Sequence, residues 1–237
     1  MIKAILFDLD DTLFDHKHAS REGLRSVWKR YTCFQEMTLD EFELEHRGML
    51  EKIHFSQVLV GKLSLEEARA ERFKHLFLNR NVEVDFETSR NAAVIYRNSY
   101  EKNVRKVKGS EELLKALKKN YKIGIVTNNI TAEQESKLDQ LGLRNYIDHM
   151  VTSEEMGVTK PNPLLFSTAC ERLGVSPDSA VMIGDSWDND IAGAHAVGMK
   201  CIWLNHDKIS CPDSAKAIEI RSLENAEYIK TLISSFR

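Results

Sequence analysis

The chain has 237 residues, 42% of them hydrophobic and 29% charged, with 11 Gly and 4 Pro. This is the composition of one folded domain with room for an insertion, and it excludes collagen-like, low-complexity and intrinsically disordered chains. A net charge of −3, from 33 basic and 36 acidic residues, offers no surplus of positive charge for a nucleic-acid polymer or an anionic membrane surface.

The N-terminal apolar run, residues 2–7, is too short for the hydrophobic region of a signal peptide and meets Asp8 at once. It reads as a buried strand of a parallel sheet. From residue 17 to about 102 the pattern becomes helical. Leu24, Val27, Trp28 and Tyr31 share one helical face, and Thr38-x-x-Glu41 and Ser64-x-x-Glu67 both match the capping box. Three further strand-like runs follow at 123–126, 181–183 and 201–204. Between them lie helical patterns carried by Leu113, Leu114 and Leu117, by Leu138 and Leu141, and by Phe166, Ala169, Cys170 and Leu173.

Strand alternating with helix predicts an α/β fold, a doubly wound parallel sheet formed by residues 1–15 and 103–237. Residues 16–102 are expected to form an inserted helical subdomain. Its place after the first strand suits a lid at the carboxyl ends of the strands, where open α/β sheets bind ligands. No apolar run approaches the roughly 20 residues of a membrane helix. The four cysteines form no Cys-x-x-Cys pair and read as free thiols. A cytoplasmic protein is expected.

Chemically capable residues collect at the strand ends. The first run leads into Asp8-Leu9-Asp10-Asp11-Thr12, three acids in four residues. An EF-hand loop starting at Asp8 would need Gly at position 13 and Glu at position 19, where this chain has Leu13 and Ala19. An acidic turn is the plain structural alternative. The second run ends in Thr127-Asn128-Asn129, which alone reads equally well as a helix cap. Lys160 precedes Pro161, a common loop pattern. The third run ends in Gly184-Asp185 with Asp188 and Asp190 following, and acids there also suit a helix N-terminus.

Taken in order, Asp8-x-Asp10-x-Thr12, Thr127, Lys160 and Gly184-Asp185 with Asp190 resemble the haloacid dehalogenase-like (HAD) hydrolase superfamily. The resemblance covers residues 1–15 and roughly 107–204. It implies a Rossmann-like core with an α-helical cap between the first and second motifs. It further implies that Asp8 is the nucleophile and Asp10 the general acid/base, that Thr127 and Asn128 bind the substrate phosphate, and that Lys160 neutralises charge. Mg²⁺ would be held by Asp8, by Asp10 through its backbone carbonyl and by Asp185, with Asp190 orienting the metal's surroundings.

Residues 11–14, 141–148 and 153–162 resemble the pyrimidine/noncanonical 5'-nucleotidase branch. Asn162 and Lys108-Gly109 depart from the Asp and Pro-Gly frequent in the superfamily. The resemblance therefore implies a Mg²⁺-dependent phosphatase working through an aspartyl-phosphate on a small phosphorylated metabolite, a nucleoside 5'-monophosphate being preferred. A sugar-phosphate phosphatase or phosphomutase is the enzymatic alternative, followed by a non-catalytic binding protein and a 2-haloacid dehalogenase. Asp10 counts against the last, because carbon–halogen displacement needs no acid for a leaving oxygen.

Within the insertion, Phe55, Tyr96 and Tyr100 read as core, with nucleobase stacking as the alternative use of their faces. His46, His54 and His75 lack partners at metal-ligand spacing and read as packed or solvated. Trp187, between Asp185 and Asp190, suits either packing beneath the following helix or lining an entrance.

Overall fold

A computed structural model describes residues 1–53, 58 and 62–236. Phe55 and His54 lie outside the described residues. The chain divides into two compact units, Met1–Asp15 with Arg105–Arg237, and His16–Val104.

The first unit is a parallel sheet with the strand order β3-β2-β1-β4-β5-β6. Its strands are β1 Ala4–Phe7, β2 Lys122–Thr127, β3 His149–Thr152, β4 Ala180–Gly184, β5 Lys200–Leu204 and β6 Ile218–Ile220, and its α-helices are Ser110–Leu117, Thr131–Gln140, Ser153–Met156, Pro163–Arg172, Ala192–Ala196 and Ala226–Ser235. Every residue of β1 and β4 is buried. Such strands, covered on both faces, read as unbroken apolar runs, and that is why they are visible in the sequence. The edge strands β3 and β6 were not anticipated from the sequence. Each is short, and their His149 and Glu219 break the apolar pattern.

From β1 the chain runs outward to β2 and β3, then crosses back to β4, which pairs with the other side of β1. The direction of winding thus reverses between β1 and β4, the kind of junction at which open α/β sheets bind ligands. The register levels the strand ends: Phe7 faces Ile125 on one side and Ile183 on the other. Asp8, Thr127 and Asp185 therefore leave three adjacent strands at nearly the same height. On one face of the sheet Leu6, Val126 and Met182 pack against Leu165, Phe166 and Trp203. Burying each such side chain contributes about 1.5–3 kcal/mol.

The second unit contains the helices His16–Arg30, Leu39–Ile53, Leu65–Leu78 and Phe86–Lys102. Both capping boxes form. The Thr38 hydroxyl accepts from Glu41 N while the Glu41 carboxylate accepts from Thr38 N, and Ser64 and Glu67 do the same. Phe34, Phe42, Phe73 and Phe77 fill the centre, with Phe34 stacked on Phe42 at 4.5 Å. Tyr96 and Tyr100 are buried in this unit, and the Tyr96 hydroxyl meets Ser20 Oγ at 3.1 Å. His46 is packed against the rings of Phe73 and Tyr96, and burial holds its pKa well below the ordinary imidazole value. His75 instead meets Glu71 one turn earlier on a solvated face. Among the described residues, no helix is long and apolar enough to cross a membrane.

Candidate active site

The loops after β1, β2 and β4 build the site together with the segment before the Pro163–Arg172 helix. Lys160 lies in that segment, before a cis peptide to Pro161. Asn128, just past β2, fixes it from both ends: Lys160 N donates to Asn128 Oδ1 at 2.6 Å, and Asn128 Nδ2 donates to Lys160 O at 3.1 Å. The Asn128 side chain, expected at the phosphate, is thus engaged with the Lys160 backbone.

The Lys160 ammonium donates to Asp8 Oδ1 at 2.5 Å, Asp190 Oδ1 at 2.7 Å and Val126 O at 2.9 Å. Three acceptors match the three N–H bonds of an ammonium. Burial opposes its charge, but Asp190 and Asp8 outweigh that and hold its pKa above the ordinary lysine value.

One cation faces more carboxylates than it can neutralise, and the shortfall falls on the acids. Burial pushes the Asp8 carboxyl up to about 7 against the pull of Lys160, with Asp190 and Asp10 adding like-charge repulsion. Asp185 is also raised to about 7, by burial and then by Asp8 and Asp11. Asp190 moves the same way, chiefly through burial. One oxygen from each of Asp8, Asp185 and Asp190 lies within 4.8 Å of the others. A set of anionic oxygens with no thiol or imidazole is what a hard cation such as Mg²⁺ takes.

Neighbouring groups hold each acid. Thr12 Oγ1 donates to Asp185 Oδ1 and accepts from Asp185 N, both at 3.1 Å, while Trp203 Nε1 donates to Asp185 O at 2.8 Å. Asp190 Oδ2 accepts from Ser186 N at 3.0 Å. Trp187 sits edge-on to Trp203 at 5.1 Å and packs partly buried against the core, the first of the two roles weighed for it.

The Asp10 carboxylate turns to the Thr131–Gln140 helix. Lys137 Nζ lies 2.5 Å from Oδ1, while Gln134 Nε2 at 3.1 Å and Asn129 Nδ2 at 3.3 Å reach Oδ2. Lys137 also lies 5.1 Å from the centre of the Phe14 ring. Gln134 Nε2 donates to Thr127 Oγ1 at 2.6 Å. The structure thus gathers Asp8, Lys160, Asp185 and Asp190 at one point, with Asp10 and Thr127 joined beside them through Gln134.

Gln134, Lys137, Ser186, Trp203 and the bonding of Thr12 were not legible as site features. Gln134 and Lys137 stand three apart, the spacing of one helical face. That was the available signal, but polar residues at this spacing ordinarily read as a solvated surface.

Residues 5–204 match the family model described as haloacid dehalogenase-like hydrolase. The chain is 32% identical over 214 residues to a glyceraldehyde 3-phosphate phosphatase of Methanopyrus kandleri, covering 88% of this chain and 86% of that protein. It is 31% identical over 229 residues to the pyrimidine 5'-nucleotidase YjjG of Escherichia coli, covering 95% and 96%. Among solved structures it is similar to the HAD-hydrolase YfnB of Bacillus subtilis bound to magnesium, at 27% identity and a TM-score of 0.75 over 97% of this chain and 99% of that one. The family match spans the strands whose ends carry the clustered acids and the buried lysine, and the chain belongs to the haloacid dehalogenase-like hydrolases.

Proposed function

We propose that this enzyme hydrolyses small phosphate monoesters through an aspartyl-phosphate on Asp8. The observation that carries the reading is the buried Lys160 ammonium 2.5 Å from Asp8 and 2.7 Å from Asp190. A phosphate dianion repels a carboxylate nucleophile, so positive charge has to be aimed at the phosphoryl oxygens. Lys160 supplies part of it. Mg²⁺, when bound by Asp8, the Asp10 backbone carbonyl and Asp185 with Asp190 alongside, supplies the rest as a Lewis acid.

In the first step an Asp8 oxygen forms a bond to phosphorus as the bond to the leaving oxygen breaks, and Asp10 gives that oxygen its proton. In the second, water bonds to the same phosphorus and yields a proton to Asp10, and the bond to Asp8 breaks. Inorganic phosphate leaves and both aspartates are restored. Thr127, with the backbone around Asn128, holds the phosphoryl oxygens. A nucleoside 5'-monophosphate is the preferred substrate reading, supported by the likeness to YjjG over nearly the whole of both chains. The glyceraldehyde 3-phosphate phosphatases among the relatives favour a sugar phosphate as the second reading.

Phosphate release from nucleoside monophosphates, sugar phosphates and p-nitrophenyl phosphate, with Mg²⁺ or EDTA, tests both. Turnover that needs Mg²⁺ and disappears in Asp8→Asn is expected, and the best substrate chooses between the readings. Activity retained by Asp8→Asn would remove Asp8 as nucleophile, and folded protein inert on every substrate would remove the phosphatase reading.

A further inference from the structure

Gln134 is fully buried, an unusual place for an amide. Its Nε2 lies 2.6 Å from Thr127 Oγ1 and 3.1 Å from Asp10 Oδ2. Lys137 Nζ lies 2.5 Å from Asp10 Oδ1, and Asn129, whose Oδ1 accepts from Ile130 N, turns its Nδ2 to Asp10 Oδ2 at 3.3 Å, so in the ionised carboxylate both oxygens act as acceptors. The Gln134 atom facing Asp10 therefore has to be the amide nitrogen, which fixes which way round the amide lies. Its two N–H bonds are then divided between a hydroxyl and a carboxylate. Among the described residues, the other end of the amide, Oε1, is buried without a hydrogen-bond partner. A buried acceptor left dry is costly and calls for an explanation.

The division of the N–H bonds supplies one. A hydroxyl that accepts from Gln134 keeps its own proton to give. We infer that Gln134 is a positioning residue: it turns the Thr127 hydroxyl into a donor towards a phosphoryl oxygen and ties that hydroxyl to Asp10 through a single nitrogen. The inference rests on the phosphatase reading and on Thr127 as a phosphate contact. Without the amide, the hydroxyl is free to rotate and spend its proton elsewhere.

The test is a double-mutant cycle of Gln134→Met and Thr127→Val, read as competitive inhibition by inorganic phosphate and as kcat/KM on p-nitrophenyl phosphate. Gln134→Met has similar length but no N–H to donate. It is expected to weaken phosphate inhibition about five- to tenfold, the loss of one oriented hydrogen bond, while leaving phosphate inhibition of Thr127→Val unchanged; kcat/KM falls in both backgrounds, because the other N–H is lost to Asp10. Wild-type inhibition in folded Gln134→Met overturns the inference, and so do losses of inhibition that simply multiply in the double variant. Gln134→Asn, which keeps the amide but falls short by one methylene, is expected to move the same way and stands in if Gln134→Met does not fold. Unaltered phosphate inhibition in Thr127→Val would strike the Thr127 contact itself, and an inert wild type the phosphatase reading, so these failures separate from failure of the Gln134 step.

Discussion

Gly184 and Asp190 occupy adjoining space with no allowance for one more carbon: a Cβ at position 184 would lie 2.4 Å from Asp190 Oδ2. The contact is with the same carboxylate that accepts from Lys160 and Ser186. Gly184→Ala is therefore expected to displace Asp190 and, through it, Lys160. A stability loss of about 1–3 kcal/mol and a fall in kcat/KM of roughly a hundredfold should follow, read by urea unfolding and steady-state kinetics. Wild-type activity in the alanine variant would show that Asp190 can move without consequence.

The buried acids set a pH dependence in the metal-free protein. With its folded pKa raised to about 7 from an ordinary 3.8, Asp8 contributes its full stabilising effect below the unfolded value and loses it as pH rises through about 7. His46 works in the opposite sense, since its folded pKa lies well below the ordinary 6.5. Comparing wild type with Asp8→Asn cancels the His46 contribution. In EDTA, Asp8→Asn should gain about 1–3 kcal/mol on wild type between pH 5 and pH 8, and added Mg²⁺ should reduce the gap. A difference that does not change with pH would contradict this.

The geometry around position 160 suits a lysine ammonium. The ammonium meets Asp8, Asp190 and Val126 O within 2.9 Å, an arrangement that a longer, planar guanidinium cannot reproduce. Lys160→Arg keeps the charge but should lose roughly a hundredfold or more in kcat. Lys160→Met should lose more and should also destabilise the fold by about 3 kcal/mol, because two buried acids lose their partner. Restoration of near wild-type turnover by arginine would mean that charge alone suffices.

The Asp10–Lys137 pair is unequally exposed, with 24% of the Asp10 side chain accessible and 5% of Lys137. Asp10→Ala leaves a buried cation without its carboxylate and should cost about 2–4 kcal/mol. Lys137→Met leaves a half-wet carboxylate still held by two amides and should cost about 1 kcal/mol. Denaturant midpoints for the two variants test the order, and a reversed order would contradict the exposure argument.

The strands were legible because burial on both faces makes them unbroken apolar runs, and the acids were legible because they interrupt those runs abruptly. The partners were not. Gln134 and Lys137 are polar residues on a short helix, and only the tertiary fold turns that face towards Asp10. Asn128 carried a phosphate-binding expectation because of its neighbour Thr127, yet its amide bonds to the backbone of a residue 32 positions away. Edge strands β3 and β6 escaped notice for a similar reason, since pairing along one side needs fewer apolar residues than the centre of the sheet.

The position of β1 bears on how the protein is made. Its residues pair with strands that begin at Lys122 and Ala180, so this strand leaves the ribosome well before either of its neighbours. At about 5–20 residues per second it waits roughly 10–35 s for β4. During synthesis, the strand that leads to Asp8 is an apolar segment with two unpaired edges, the kind of segment that chaperones shield and that favours aggregation at high expression. Yield of soluble protein should therefore respond to translation rate and chaperone supply more than to the stability of the finished fold.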